Sequence, residues 1–196
     1  MILGITGGTG CGKTTLLKQI ASLGGRILDC DAIYHQLLET DTTLLHSIEA
    51  QFPGTVENGV LLRKKLGAQV FSHPEDLERL NQITHAAVYR EVQRQLADQP
   101  SLAAIDAIAL FESGLAQLCQ CTVAVTAPLE DRVQRLMARD GISQDYAHSR
   151  IAAQHPPEWF ASRCDYVLEN NASAAAFQKN CLAFLARLDI IKETKG

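Results

Sequence analysis

No apolar stretch in this 196-residue chain approaches the roughly 20 residues that a membrane-spanning helix needs. A membrane partner is therefore not expected. A basic excess is also missing. The 18 lysines and arginines are outnumbered by 22 acidic residues, for a net charge of −4. That balance excludes a surface built to coat nucleic acid. The six cysteines do not fall into metal-ligand pairs, because Cys119-x-Cys121 is tighter than the usual zinc spacing. Internal repeats and low-complexity segments are absent, which excludes solenoids and linkers. The chain enters strand residues at once, without the pattern of a signal peptide. Reduced thiols and a cytoplasmic location are the expectation.

What is present is concentrated near the start. Ile2-Leu3-Gly4-Ile5 reads as a buried strand, and Leu16, Leu17, Ile20, Ala21 and Leu23 recur at helical spacing. Between them stands Gly7-Gly8-Thr9-Gly10-Cys11-Gly12-Lys13-Thr14, a glycine, four residues, then Gly-Lys-Thr. Strand, glycine-rich loop and helix are the context in which this spacing denotes a phosphate-binding loop. Glycines let the backbone approach an anion without Cβ clashes. The exposed amides form a nest, and the following helix adds its N-terminal donors and dipole. Lys13 reaches the β- and γ-phosphates of a nucleotide, and the Thr14 hydroxyl binds Mg²⁺. The expected nucleotide site is Gly8, Thr9, Gly10, Cys11, Gly12, Lys13, Thr14 and Thr15, with ATP and Mg²⁺ as ligands. Cys11 is expected to be a small neutral side chain.

The remainder alternates strands with helices. Arg26 to Asp31 reads as a strand with an acidic end, followed by a helix from Ala32 to Thr40. A helical block follows to Leu96, with a turn at Asn58-Gly59 and a new start at Pro74. Leu102 to Phe111, interrupted by Asp106, reads as a strand covered on both faces. Thr122–Val125 and Asp165–Leu168 are further strands. Glu130–Arg139, a segment around Tyr146–Gln154, and Phe177–Leu188 are helices, and residues from Lys192 on form a polar tail. The pattern implies an α/β fold, a parallel sheet with helices on both faces and ligands outside the carboxyl ends of the strands.

Asp31, at the exit of the second strand, suits a carboxylate that orients or deprotonates an attacking hydroxyl or holds Mg²⁺. It equally suits an N-cap for the next helix. Arg132, Arg135, Arg139 and Arg150 lie on two helices hinged at Asp140-Gly141. Arg139 is expected to meet phosphate, with Arg132 and Arg135 on the surface. Arg63, in the cluster Arg63-Lys64-Lys65, is either a solvated face or a phosphate contact. His85 lies within an apolar helix, where a satisfied, partly buried histidine is the ordinary case. Glu112 ends the third strand, as a substrate contact, a metal neighbour or a helix cap.

Taken together, the chain resembles dephospho-CoA kinases from Ile2 to about Ala172. The loop is similar to that family's TGGIGSGKS. Leu28-Asp29-Cys30-Asp31 resembles its I-D-A-D, and Leu80-Asn81 with His85 resembles its L-N-x-x-x-H-P. Leu110-Phe111-Glu112 resembles the end of its D-x-P-L-L-F-E. Arg139, Arg150, Gln154 and Cys164 to Asn170 resemble its lid and the A-D-x-V-I-x-N that follows. The resemblance implies a P-loop NTPase-type core (1–40, 101–139 and 164–190), a helical CoA-binding insertion (about 41–100) and a lid (about 140–163). It implies phosphorylation of the ribose 3′-hydroxyl of dephospho-CoA by ATP. Asp31 would be the base, Lys13 and Arg139 would bind phosphates, Thr14 would bind Mg²⁺, and Arg63, His85 and Glu112 would contact the acceptor. Ala86, Ile108, Ala172 and Pro156-Pro157 depart from the family's pattern. Other small-molecule kinases and an inactive nucleotide-binding module remain alternatives. A monomer or weak homo-oligomer is expected.

Overall fold

The computed structural model of the protein describes residues 1–190; the expected polar tail from Lys192 lies outside them. Among the described residues seven strands form: β1 (Ile2–Thr6), β2 (Arg26–Asp29), β3 (Val56–Glu57), β4 (Val60–Leu61), β5 (Ala103–Asp106), β6 (Cys121–Thr126) and β7 (Tyr166–Glu169). The helices are α1 (Lys13–Ser22), α2 (Cys30–Thr40), α3 (Thr42–Gln51), α4 (Arg63–Val70), α5 (Pro74–Leu96), α6 (Leu129–Asp140), α7 (Gln144–Ala152), α8 (Pro157–Ala161) and α9 (Ala174–Arg187). The chain divides into two compact units. One comprises Met1–Ile27, Pro100–Leu110 and Ala116–Gly196; the other comprises Leu28–Gln99 and Phe111–Leu115.

The first unit is built on a sheet of order β2-β5-β1-β6-β7. The pairs β1–β5, β1–β6 and β6–β7 are parallel, with Ile5 opposite Asp106 and Val123. From β1 the chain passes to one side, to β2 and then β5, before crossing to β6 and β7. The switch therefore falls at β1, and its carboxyl end is where a ligand belongs in such a sheet. Leu3 and Ile5 on β1, Leu16 and Ile20 on α1, and Phe177 and Leu185 on α9 form a buried cluster under the sheet. Complete burial of side chains this size contributes about 1.5–3 kcal/mol each.

The second unit is helical. The helices α2, α3 and α4 each pack on α5, whose Ala87, Val88 and Val92 are buried. Pro74 occupies the first turn of α5, with Glu75 and Asp76 beside it, as the sequence leads one to expect. The Asn58-Gly59 turn closes an antiparallel hairpin of β3 and β4, both central residues having positive φ (51° and 76°). Thus the block that reads as helical from Leu61 starts in a strand. Two-residue strands are too short to imprint a period on the sequence.

A second difference concerns the apolar run from Leu102 to Phe111. It leaves the sheet at Asp106, and residues 107–114 turn. Its neighbour β1 ends at Thr6, so Ala107 N–H to Ile5 O (3.1 Å) is the last rung. Residues beyond it are apolar because Ala107 and Leu110 are buried, not because they are extended. Glu112 accordingly sits past the strand, in this turn.

The start of β7 is anchored to β6 by Asp165, whose Oδ2 accepts from Thr122 N and Thr122 Oγ1, each at 2.7 Å. These bonds hold the Asp165 carboxyl below its ordinary 3.8, with the Thr122 hydroxyl the largest cause. Nearby thiols move the other way: burial pushes Cys119 up to about 12 and Cys121 and Cys164 to about 11. A carboxyl lowered on folding stabilises the fold above its unfolded value and loses that contribution as pH falls through the folded one. Asp165→Ala is expected to cost about 1 kcal/mol near neutral pH, discounted for the exposure of the carboxylate. Denaturant melts of both proteins should show the gap narrowing below about pH 4.

Candidate functional site

The loop between β1 and α1 takes its shape from helix α6 and the residue after β7. Gly12, the residue before α1, has φ 98°, and a Cβ there would run into Asn170 Nδ2. Helix α1 has no side-chain cap, and while Thr15 N–H donates to Gly12 O (3.0 Å), the amides of Lys13 and Thr14 are open donors of the kind that bind anions. The loop's carbonyls are turned outward and fastened. Thr9 O accepts from Arg132 Nε (2.9 Å), Gly10 O from Arg135 Nη1 (3.1 Å), and Cys11 O from Asn170 Nδ2 (2.9 Å). Arg132 and Arg135 come from α6 and Asn170 follows β7, so the sheet's carboxyl edge supplies all three.

This corrects the expectation for Arg132 and Arg135. Arg132 is only 3% exposed, Arg135 is half-buried with its side chain 35% exposed, and both donate to carbonyls of the loop. Periodicity places arginines opposite the apolar stripe, but here the loop covers that side of α6.

Lys13 Nζ donates to Gly7 O (2.9 Å) and lies 3.9 Å from Asp106 Oδ1. Asp106 closes β5 directly beside β1 and is the site residue that sequence reasoning missed. The available signal was the carboxylate ending the apolar run Leu102–Ile105. Cys11 is buried, and burial raises its thiol despite Arg132, Lys13 and Arg135 nearby. It remains a neutral small side chain, as expected. Thr14 is exposed and Thr15 half-buried on the first turn of α1.

Arg139 and Arg150 meet on one carboxylate. Arg139 Nε and Arg150 Nη1 each lie 2.6 Å from Asp140, whose carboxyl is lowered to about 2, chiefly by Arg139. The side chain of Arg139 is 60% exposed. The hinge between α6 and α7 is Gly141, at φ 65°.

In the second unit the acidic strand end resolves into two roles. Asp29 caps α2, its Oδ1 accepting from Asp31 N and Ala32 N at 3.0 Å each. The strand stops at Asp29, so Asp31 is neither a strand residue nor the cap. It stands in the first turn of α2, where the helix dipole favours a negative side chain. Among the described residues nothing else engages its carboxylate. The same unit carries Arg63, whose charge acts on Tyr34, and His85, whose charge neighbours are Glu112 and Glu78.

A family model described as dephospho-CoA kinase matches residues 1–176. The chain belongs to the dephospho-CoA kinase family. It is similar to the dephospho-CoA kinase of Anaeromyxobacter dehalogenans, 38% identical over 193 residues that cover 95% of this chain and 92% of that one. A crystal structure from Thermus thermophilus matches with a TM-score of 0.81 and 36% identity, covering 96% of this chain and 97% of that chain. The dephospho-CoA kinase of Campylobacter jejuni matches at 0.67 and 26%, covering 95% and 96%. The sheet and loop are therefore those of a P-loop kinase. No helix among the described residues is long and apolar enough to cross a membrane.

His85 provides a test of the second unit. Burial lowers its pKa below 6.5, against the opposing pull of Glu112 and then Glu78. It is neutral at pH 7, and stability falls as pH drops through 6.5, where the unfolded chain takes the proton more readily. Glu112→Gln should lower the His85 pKa further, read from its imidazole proton shifts by NMR. An unchanged value would show that the two side chains do not interact.

Proposed function

We infer that the protein transfers the γ-phosphoryl group of ATP to the ribose 3′-hydroxyl of dephospho-CoA, giving coenzyme A and ADP, the last step of CoA synthesis. The family supplies the reaction. The observation that carries it here is the caged loop, with Lys13 at its end and an uncapped helix behind it.

The chain's own groups divide the work. The amides from Gly8 to Thr15 and the Lys13 ammonium take the nucleotide phosphates, countering charge that spreads over the transferred group. Arg139 adds a guanidinium from the hinge of α6 and α7. Asp31 accepts the proton of the attacking hydroxyl, its carboxylate unencumbered because Asp29 caps the helix. Arg63, His85 and Glu112 contact the acceptor, His85 as a neutral hydrogen-bonding group. The second unit, rooted in the helical segment 41–100, is the acceptor-binding part, and segment 140–163 is the lid.

Mg²⁺ fits the donors present. Thr14 offers a hydroxyl and Asp106 a carboxylate, both hard oxygens. Among the described residues no cluster of three or more His, Cys, Asp or Glu side chains suits a metal. A magnesium ion held largely by substrate phosphates and water needs no such cluster. Bound there, it would neutralise charge on the phosphates. The protein acts in the cytoplasm, as a monomer or weak homo-oligomer, without nucleic acid.

ADP release with Mg-ATP should appear with dephospho-CoA and not with adenosine, pantetheine or no acceptor. Release with another acceptor would discard the CoA assignment and leave the kinase. Asp31→Asn should lower kcat by about 10²–10⁴-fold with ATP affinity retained, the scale of one positioned proton acceptor. Asp106→Asn should depress kcat by a similar order and raise the Mg²⁺ concentration for half-maximal rate; an unchanged Mg²⁺ dependence would remove it from the metal site.

A further inference from the structure

Four arginines lie on α6 and α7, and three of them face carboxylates. Arg135 has Asp131 at 3.5 Å, and Arg139 and Arg150 share Asp140. Arg132 is the most deeply buried and, among the described residues, pairs with no carboxylate. Its hydrogen bonds go to neutral oxygens, Nε to Thr9 O (2.9 Å) and Nη2 to Gln154 Oε1 (3.3 Å). A guanidinium held out of water without a counter-charge is costly. Beside a loop that binds phosphate, the missing negative charge has an evident source.

Gln154 sharpens this. The same Oε1 accepts from Thr9 N at 2.8 Å. One oxygen thus bridges a loop amide and a buried guanidinium, the role a phosphate oxygen plays at such a site. The floor beneath is bare backbone. A Cβ on Gly8 would strike Arg132 Nη2 and come within 3.0 Å of Gln154 Oε1. Gln154 lies just beyond α7 and before Pro156-Pro157, in the segment hinged at Gly141.

We propose that Arg132 is a ligand of the terminal phosphate of ATP, and that the side-chain carbonyl of Gln154 competes with that phosphate for Arg132 Nη2 and Thr9 N–H. This rests on the ATP-dependent kinase reading above. The terminal phosphate is indicated because Thr9 lies in the first half of the loop, away from the amides of α1. A phosphate oxygen carries charge and accepts more strongly than an amide oxygen, so it displaces Gln154. Arrival of the nucleotide thereby frees the segment after α7, coupling occupancy of the loop to that segment.

The proposal separates ATP from ADP, because ADP lacks the group Arg132 would bind. Titration calorimetry of Mg-ATP and Mg-ADP on the parent, Arg132→Gln, Arg132→Lys and Gln154→Ala proteins tests it. Arg132→Gln should weaken ATP about tenfold or more and leave ADP within about twofold, on the scale of one charge-assisted hydrogen bond. Arg132→Lys, which keeps the charge, should recover part of the ATP affinity. Gln154→Ala should tighten ATP a few-fold and not ADP. Equal weakening of both nucleotides by Arg132→Gln and Arg132→Lys would show that Arg132 only supports the loop. Weaker ATP binding by Gln154→Ala would show that Gln154 assists the nucleotide; either result overturns the proposal. A parent that binds neither nucleotide would instead overturn the kinase reading, and this proposal with it.

Discussion

The structure depends on one constraint, that the carbonyls of a glycine-rich loop must face away from its anion. A flexible loop would present donors and acceptors alike, and its own C=O groups would repel phosphate. Here Thr9, Gly10 and Cys11 are each held by a cationic or amide donor, from Arg132, Arg135 and Asn170. Those donors come from α6 and from the residue after β7, so the strand order of the sheet is a precondition of the loop's polarity. The cage is assembled by residues more than 100 positions away in sequence. This explains why a short motif needs a complete domain behind it.

The division into two units also divides the candidate site residues. The first contains the loop, Asp106 and the arginines of α6 and α7. The second contains Asp31, Arg63, His85 and Glu112. Strand β2 begins in one and ends in the other, the boundary falling between Ile27 and Leu28. Asp29 and Asp31, two residues apart, have separate duties because the strand-to-helix change occurs between them. One carboxylate caps the new helix and the other stands in its first turn. A single aspartate in the middle would have to choose.

The local features were legible in the sequence. The strand, loop and helix at the start, the break at Pro74 and the turn at Asn58-Gly59 are each written in adjacent residues. The features that escaped are those decided by distant neighbours. Asp106 was absorbed into an apolar run because the end of β5 is set by where β1 turns away. Arg132 and Arg135 counted as surface because nothing in α6 itself reveals that the loop covers them. The cap of α2 fell on Asp29 and not Asp31, a shift of two residues that propensity alone does not decide. The resemblance to the family supplied the acceptor, which no spacing of residues discloses.

The high thiol pKa values bear on the company this protein keeps. Dephospho-CoA ends in a sulfhydryl, and disulfide exchange begins with a thiolate. Burial pushes Cys121, Cys164 and Cys181 up to about 11 and Cys119 up to about 12, so these thiols stay protonated at pH 7. Cys11, in the phosphate loop itself, is also raised by burial. Burial thus leaves an enzyme that handles a thiol with sulfurs of its own that are poor partners for disulfide exchange.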